Sequence, residues 1–305
     1  MTDGRDGDAD PTDERLALGD GRVITCRIYG DPAGSAVIAL HGTPGSRLKF
    51  SGTDAAARRL GLRLIAPDRW GYGGTSVHPT PTLAAFADDV ARLCDHFGID
   101  RFGVMGVSGG GPYAAATAAR LASRVTALAL VSPVGPIAGE DVAMTRFHRF
   151  CFGPLGRNPG AVEMVFRNFA RLLRASPRMG LAIGMANVPA ADRRVLSDAG
   201  VRQRLAATFR EGLRPGAKGP VIDLGLFSAP WCIPLADARM PARLWLGTAD
   251  RNVPLAAAQR LADALPACTT ETLHGEGHLW VAQHYDEVLA WIARTVADDP
   301  LKTSN

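Results

Sequence analysis

A single serine, Ser108, stands among five glycines in the stretch GVMGVSGGG at residues 103–111. Such a stretch can be a flexible linker, a phosphate-binding loop, or the tight turn that lifts a nucleophile out of a sheet. The apolar run at residues 102–107 predicts a strand before the serine, and the small residues at 111–121 predict a helix after it. These ordered flanks argue against a linker, and the lysine of a phosphate-binding loop is missing. We therefore interpret Ser108 as a nucleophile on a strand-to-helix turn.

A serine hydroxyl is a strong nucleophile only when a base takes its proton, and an acid must orient that base. Both residue types follow Ser108 along the chain. Asp250 comes shortly after a strand-like run at residues 242–246, and the sequence HGEGH at residues 274–278 follows a weaker strand-like run. A serine, an acid and a histidine at the ends of successive strands can perform acyl transfer.

The two histidines of HGEGH, His274 and His278, also have the spacing of a metal-binding pair on a helix. Gly275 and Gly277 interrupt any helix there, and no third ligand is evident in the sequence. A metal site is therefore not expected, and both histidines are candidates for the base.

Short apolar runs alternate with helical patterns along most of the chain. The strand-like runs lie at residues 36–40, 62–66, 102–107, 125–131, 242–246 and 269–273, and the helical patterns at residues 82–96, 111–121, 255–265 and 280–296. This alternation predicts a mostly parallel sheet with helices on both faces, and a hairpin around Asp20 and Gly21 adds antiparallel strands at one edge. Helical patterns alone dominate residues 137–235, which predicts a helical module inserted between two strands. These patterns lie at residues 142–152, 161–173, 190–196 and 201–213.

The division of the chain follows from these patterns. Residues 1–14 are rich in Asp and Gly and are expected to form a flexible tail, residues 15–136 and 236–305 the core domain, and residues 137–235 the inserted cap or lid. A chain of 305 residues can bury a core without disulfides, and its five cysteines form no close pair. The tail lacks the apolar segment of a secretory signal, and no run is long enough to span a membrane. A cytoplasmic location is therefore expected.

Five motifs in chain order make the sequence resemble the α/β-hydrolase family from about residue 15 to residue 297. They are HGTPGS at residues 41–46, DRWGYGGT at 68–75, GVSGG at 106–110, GTAD at 247–250 and GEGH at 275–278. The resemblance implies the fold of that family, a mostly parallel eight-stranded sheet with helices on both faces and an inserted helical cap.

The resemblance also assigns roles within these motifs. It implies that Ser108 is the nucleophile, that the second histidine, His278, is the base, and that Asp250 orients the base. The backbone N–H groups of Gly109 and Thr43 are expected to form the oxyanion hole, because they follow the nucleophile and the third strand. This chemistry requires no cofactor and no metal ion.

A serine at position 108 favours acyl transfer to water. Epoxide hydrolases and haloalkane dehalogenases of this family use an aspartate there, so Ser108 argues against both. The loop HGTPG resembles the HGGPG loop of proline iminopeptidases, but those enzymes usually carry a tryptophan where this chain has Gly109. We expect a carboxylesterase-like hydrolase, with a proline iminopeptidase, a carbon–carbon bond hydrolase or a lactonase as alternatives.

Functions of another class also use this fold, namely lyase, oxygenase or perhydrolase chemistry and a ligand-binding receptor. The set of Ser108, Asp250 and His278 argues against a receptor. Apolar residues of the cap are expected to close a pocket over Ser108, so the expected partner is a small, neutral, apolar substrate. These residues are Phe147, Phe150, Phe152, Met164, Phe166, Phe169, Leu224, Phe227 and Trp231. No nucleic-acid motif is present, and the sequence predicts no oligomeric state.

Overall fold

Eight strands form one mixed sheet. The computed structural model describes residues 12–136 and 149–298. The strands are β1 (Asp13–Ala17), β2 (Val23–Gly30), β3 (Ser35–Leu40), β4 (Leu62–Pro67), β5 (Phe102–Val107), β6 (Val125–Val131), β7 (Ala242–Gly247) and β8 (Cys268–Leu273). Their order is β1-β2-β4-β3-β5-β6-β7-β8, in which β2 runs antiparallel to β1 and β4 and every other pair is parallel. The predicted mostly parallel eight-stranded sheet is confirmed.

Helices cover both faces of this sheet. They are α1 (Asp54–Arg59), α2 (Leu83–His96), α3 (Gly111–Arg120), α4 (Pro159–Ala175), α5 (Pro177–Gly184), α6 (Ala190–Val195), α7 (Ala199–Gly212), α8 (Lys218–Phe227), α9 (Leu255–Asp263) and α10 (Val281–Ala297). In β3, Val37 and Ala39 join the apolar core beneath α1 and α10, whereas Ile38 and Leu40 join the core beneath α2, α3 and α9. Burial on both faces explains why such strands are unbroken apolar runs. In the described residues, no helix has the length and hydropathy to cross a membrane.

The opening hairpin starts earlier than the sequence predicts. β1 begins at Asp13, inside the segment expected to be a flexible tail, and the Asp13 carboxylate pairs with Arg27 at 2.6 Å and with Arg47 at 2.7 Å. These two ion pairs and the ladder to β2 hold residues that composition alone assigns to the tail. The turn between β1 and β2 contains Gly21 with φ of +83°, as the Asp-Gly pair predicts. Residues 1–11 of the expected tail lie outside the described residues.

Helices α4 to α8 follow β6 and precede β7, and residues 149–235 are called the helical insertion below. The helices expected near residues 161–173, 190–196 and 201–213 are present as α4, α6 and α7. The sequence patterns do not predict α5 and α8. In α8 the sequence KGPVIDLGLF has apolar residues around most of the helix, so no one-sided period marks it. The helix predicted at residues 142–152 falls mostly outside the described residues.

Candidate active site

Ser108 lies on the sharp turn between β5 and α3. Its φ of 55° is in the left-handed region, which a residue with a side chain adopts only when its surroundings enforce it. A Cβ atom at Gly106 would lie 2.7 Å from the Cβ of Ala114, and one at Gly110 would overlap the carbonyl oxygen of Leu40. Glycine is therefore required two residues before and after the serine, as the G-x-S-x-G pattern predicts.

Ser108, His278 and Asp250 form one chain of hydrogen bonds at the ends of β5, β8 and β7. His278 Nε2 lies 3.0 Å from Ser108 Oγ, and His278 Nδ1 lies 2.8 Å from Asp250 Oδ2. Asp250 Oδ1 accepts the N–H groups of Asn252 at 2.8 Å and of Val253 at 3.2 Å, which fixes the carboxylate with Oδ2 towards the histidine. Because the carboxylate accepts Nδ1–H, the lone pair of Nε2 faces the serine hydroxyl.

His274, the first histidine of HGEGH, is exposed in the turn after β8. It has no hydrogen bond to Ser108 or Asp250 in the described structure, so His278 is the histidine that the fold brings to the serine. Within the described residues, no group of three or more His, Cys, Asp or Glu side chains could hold a metal ion.

The pKa of His278 is raised above the ordinary histidine value of 6.5. Burial acts to lower the pKa, but the charge and hydrogen bond of Asp250 and the charge of Asp192 outweigh it. Lys49 acts in the opposite direction to these two carboxylates. An imidazolium that forms on His278 during acyl transfer is therefore stabilised by its surroundings.

We expect kcat/KM for a neutral ester to fall as the pH is lowered through the raised pKa of His278, because protonated Nε2 cannot take the serine proton. The midpoint of this acid limb should lie above pH 6.5, the ordinary histidine value. Asp192→Asn removes a negative charge near the imidazole and should move the midpoint to lower pH. A pH–rate profile measured from about pH 5 to 9 checks both expectations.

The matched control for this profile is Asp286→Asn, because the Asp286 side chain is 71% exposed and pairs with Arg59. That variant should leave the midpoint unchanged. A wild-type midpoint below pH 6.5 would contradict the raised pKa, and a midpoint that Asp192→Asn leaves in place would contradict the contribution of Asp192.

Thr43 and Gly109 bring two backbone N–H groups beside Ser108. A Cβ atom at Gly109 would overlap the Thr43 hydroxyl and lie 3.2 Å from the Thr43 nitrogen, so the two residues adjoin. A Cβ atom at Gly42 would lie 3.5 Å from Ser108 Oγ, so the HGTPG loop lies against the nucleophile. In the described part of the chain, neither N–H takes part in a hydrogen bond. Two available donors at this place can stabilise a developing oxyanion.

His41 and Arg69 hold the HGTPG loop in place. His41 Nδ1–H donates to the carbonyl of Gly42 at 2.8 Å, and His41 Nε2 accepts the backbone N–H of Arg69 at 3.0 Å. Burial and the charge of Arg69 hold the pKa of His41 well below its ordinary value, so the ring stays neutral. Arg69 Nε donates to the His41 carbonyl at 3.0 Å, and Arg69 Nη2 donates to the Gly42 carbonyl at 3.1 Å.

Two buried aspartates of the helical insertion reach the site, and the sequence patterns identify neither. Asp192 in α6 accepts the N–H of Leu279, the neighbour of His278, at 2.7 Å. Asp223 in α8 accepts the hydroxyl of Thr43 at 2.5 Å. A lone acid within the apolar sequence KGPVIDLGLF is the signal that could have identified Asp223, because a buried carboxylate requires donors around it.

The apolar residues expected to line a pocket over Ser108 do not all face inward. Phe150 and Met164 are 48% and 60% exposed, so the expectation is wrong for these two residues. Met164 lies on the solvent side of α4, whose opposite side is buried in the core. Phe227 packs edge-on against Tyr113 of α3, at 6.2 Å between ring centroids. Phe147 lies outside the described residues.

The chain is similar to proteins of one family. A family model described as alpha/beta hydrolase fold matches residues 35–285. The chain is 30% identical over 238 residues to a pimeloyl-(acyl-carrier protein) methyl ester esterase from Aromatoleum aromaticum, covering 77% of this chain and 88% of the esterase. It is 30% identical over 209 residues to a probable proline iminopeptidase from Streptomyces coelicolor, covering 64% of this chain and 58% of that protein.

Among solved structures, the enol-lactonase from Burkholderia xenovorans has the same fold. The TM-score is 0.67 at 20% sequence identity, and the match covers 93% of this chain and 100% of the lactonase chain. The chain therefore belongs to the α/β-hydrolase family, and the protein is a hydrolase.

Proposed function

We propose that the protein is a serine hydrolase that cleaves a carboxylic ester, with Ser108 as nucleophile, His278 as base and Asp250 as the acid that orients the base. One observation carries this proposal: the hydrogen bonds Ser108 Oγ to His278 Nε2 at 3.0 Å and His278 Nδ1 to Asp250 Oδ2 at 2.8 Å. The N–H groups of Thr43 and Gly109 beside the serine support it, because acyl transfer needs donors for an oxyanion.

The proposed reaction proceeds through an acyl-enzyme. Ser108 Oγ attacks the ester carbonyl while His278 Nε2 takes the hydroxyl proton, and the N–H groups of Thr43 and Gly109 stabilise the oxyanion. The tetrahedral intermediate collapses, the ester C–O bond breaks, and His278 gives its proton to the leaving alcohol. A water molecule then gives a proton to His278 and attacks the acyl-enzyme. The bond between Ser108 Oγ and the acyl group breaks, His278 returns the proton to Oγ, and the carboxylic acid is released.

We also propose that residues 137–235 act as a cap over a core made of residues 15–136 and 236–305. The contacts of Asp192 with Leu279 and of Asp223 with Thr43 support this arrangement, because both join the helical insertion to loops beside Ser108. The apolar content of the insertion favours a small neutral acyl ester as the substrate. The methyl ester esterase relative supports ester cleavage.

The second candidate function is an amide hydrolase similar to the proline iminopeptidases. The HGTPG loop and the 30% identity to a probable proline iminopeptidase favour it. Gly109 argues against it, because those enzymes usually carry a tryptophan there. In this chain a side chain at position 109 would overlap the Thr43 hydroxyl, so a tryptophan there requires the Thr43 side chain to move.

The experiment that tests the proposal compares kcat/KM for p-nitrophenyl esters of increasing acyl length with kcat/KM for proline p-nitroanilide. We expect the esters to be the better substrates. A higher kcat/KM for the anilide would replace the proposal with the second candidate.

A fluorophosphonate probe followed by peptide mass spectrometry adds an assay independent of substrate. Labelling of Ser108 is expected, and a protein that neither turns over esters nor reacts with the probe contradicts a serine hydrolase.

A further inference from the structure

Asp223 of α8 is a buried carboxylate at the contact between the helical insertion and the core, with 1% of its surface exposed. Its Oδ1 accepts the hydroxyl of Tyr113 at 2.7 Å and a hydrogen bond from Arg69 Nη1. Its Oδ2 accepts the hydroxyls of Tyr72 at 2.6 Å and Thr43 at 2.5 Å. All four donors come from the core, so this one side chain joins α8 to four core residues.

The donors hold this carboxylate in one place. A buried charge is tolerated only where hydrogen bonds replace its lost hydration, and four donors satisfy Asp223. Burial and the charge of Asp223 raise the pKa values of Tyr72 and Tyr113 well above the ordinary tyrosine value, so both phenols stay protonated and donate. The four hydrogen bonds to Asp223 therefore have a fixed direction, and each of their protons points to the carboxylate.

The same network reaches the HGTPG loop, which carries Thr43. The Thr43 hydroxyl donates to Asp223 and accepts from Arg69 Nη2 at 3.1 Å, so its rotamer is fixed from two sides. Arg69, held by Asp223, also donates to the carbonyls of His41 and Gly42. Asp223 thus constrains the backbone that carries the Thr43 N–H both directly and through Arg69.

We infer that Asp223 is a positioning residue of the oxyanion hole: docking of α8 onto the core sets the Thr43 N–H beside Gly109 and so completes the hole. The inference rests on the proposed serine hydrolase function. Misplacement of an oxyanion donor acts on the transition state and leaves binding of the ground-state ester largely unchanged. A purely structural role would instead lower stability without a selective loss of kcat.

The first test is Asp223→Asn, with Asp89→Asn as the matched control. Asp89 in α2 is also buried at 2% exposure, and it pairs with Arg22 and accepts Trp70 Nε1–H at 2.9 Å. We expect the folded Asp223→Asn variant to lose kcat by about 10- to 100-fold with little change in KM. A boronic acid that forms a tetrahedral adduct on Ser108 should lose affinity in parallel. Asp89→Asn should keep both kcat and boronic acid affinity.

Thr43→Val gives a second test that does not disturb the buried charge pair. It removes the hydroxyl that contacts Asp223 and keeps the backbone N–H. We expect it to lower kcat by a factor similar to that of Asp223→Asn, and the double variant should lose little more than either single variant. Thr43→Ser, which keeps the hydroxyl, should lose less than Thr43→Val.

Several outcomes would overturn the inference while leaving the proposed function intact. They are a folded Asp223→Asn variant with wild-type kcat, a loss confined to KM, a loss that Asp89→Asn reproduces, and additive losses for Thr43→Val and Asp223→Asn. If Asp223→Asn does not fold, the comparison of Thr43→Val with Thr43→Ser decides. Failure of the proposed function is a separate result, because the wild-type protein would then neither cleave esters nor bind the boronic acid through Ser108.

Discussion

Ser108→Ala should lower kcat/KM for a p-nitrophenyl ester by about 10⁴- to 10⁶-fold, because the variant lacks the oxygen that attacks the ester carbonyl. The variant should fold, since the serine side chain makes one hydrogen bond within residues 12–136 and 149–298, to His278 at 3.0 Å. Steady-state kinetics, with circular dichroism to check the fold, measure both effects. The same variant should no longer react with a fluorophosphonate.

Ser132→Ala is the matched control for this prediction. Ser132 follows β6 as Ser108 follows β5, it also has a positive φ, of 43°, and it is buried at 3% exposure. Its replacement should leave kcat/KM close to the wild-type value. Ester turnover by Ser108→Ala at more than a few per cent of the wild-type rate would contradict the role of Ser108, and an equal loss in Ser132→Ala would indicate a general disturbance of the sheet edge.

Asp250→Asn should lower kcat by about 10³- to 10⁴-fold. In the wild-type protein, Asp250 Oδ1 accepts the N–H groups of Asn252 and Val253. In the variant, the amide oxygen of the asparagine must therefore take the position of Oδ1. The amide NH₂ of the variant then faces His278 Nδ1 and donates to it. The imidazole is driven into the tautomer that carries its proton on Nε2, and it can no longer take the proton of Ser108.

Steady-state kinetics on the same ester measure this loss. Asp192→Asn is the control within the site, because it changes a second carboxylate near His278 without contacting Nδ1. It should cost far less kcat than Asp250→Asn. If the two variants lose activity equally, or if Asp250→Asn retains most of its kcat, the orientation of His278 does not depend on Asp250.

Local sequence was sufficient to find the residues around Ser108. The glycines at 106 and 110 are required by contacts with a neighbouring helix and strand, and such requirements leave a recognisable short motif. Asp250 and His278 are predictable because strands of a parallel sheet end at one edge, so the residues that follow β7 and β8 meet the turn after β5. In each case a strand and the few residues after it carry the signal.

The contacts of the helical insertion could not be found in this way. The donors to Asp223 are distant from it along the chain. The separation is 110 residues for Tyr113 and 180 residues for Thr43. No local pattern encodes contacts at that separation, and α8 lacks the one-sided apolar period that would mark its buried side. The exposed positions of Phe150 and Met164 have the same origin, because helix packing decides which apolar side chains reach solvent.

The Asp223 carboxylate, which accepts the Thr43 hydroxyl, limits how this enzyme can be re-engineered. If the helical insertion were exchanged for that of a relative, an insertion without an acid at position 223 would leave the Arg69 guanidinium buried beside two phenols with no counter-charge. A workable chimera would have to carry over the aspartate or replace Arg69, Tyr72 and Tyr113 together. The helical insertion and the segments that carry Arg69, Tyr72 and Tyr113 are therefore expected to evolve as a matched set.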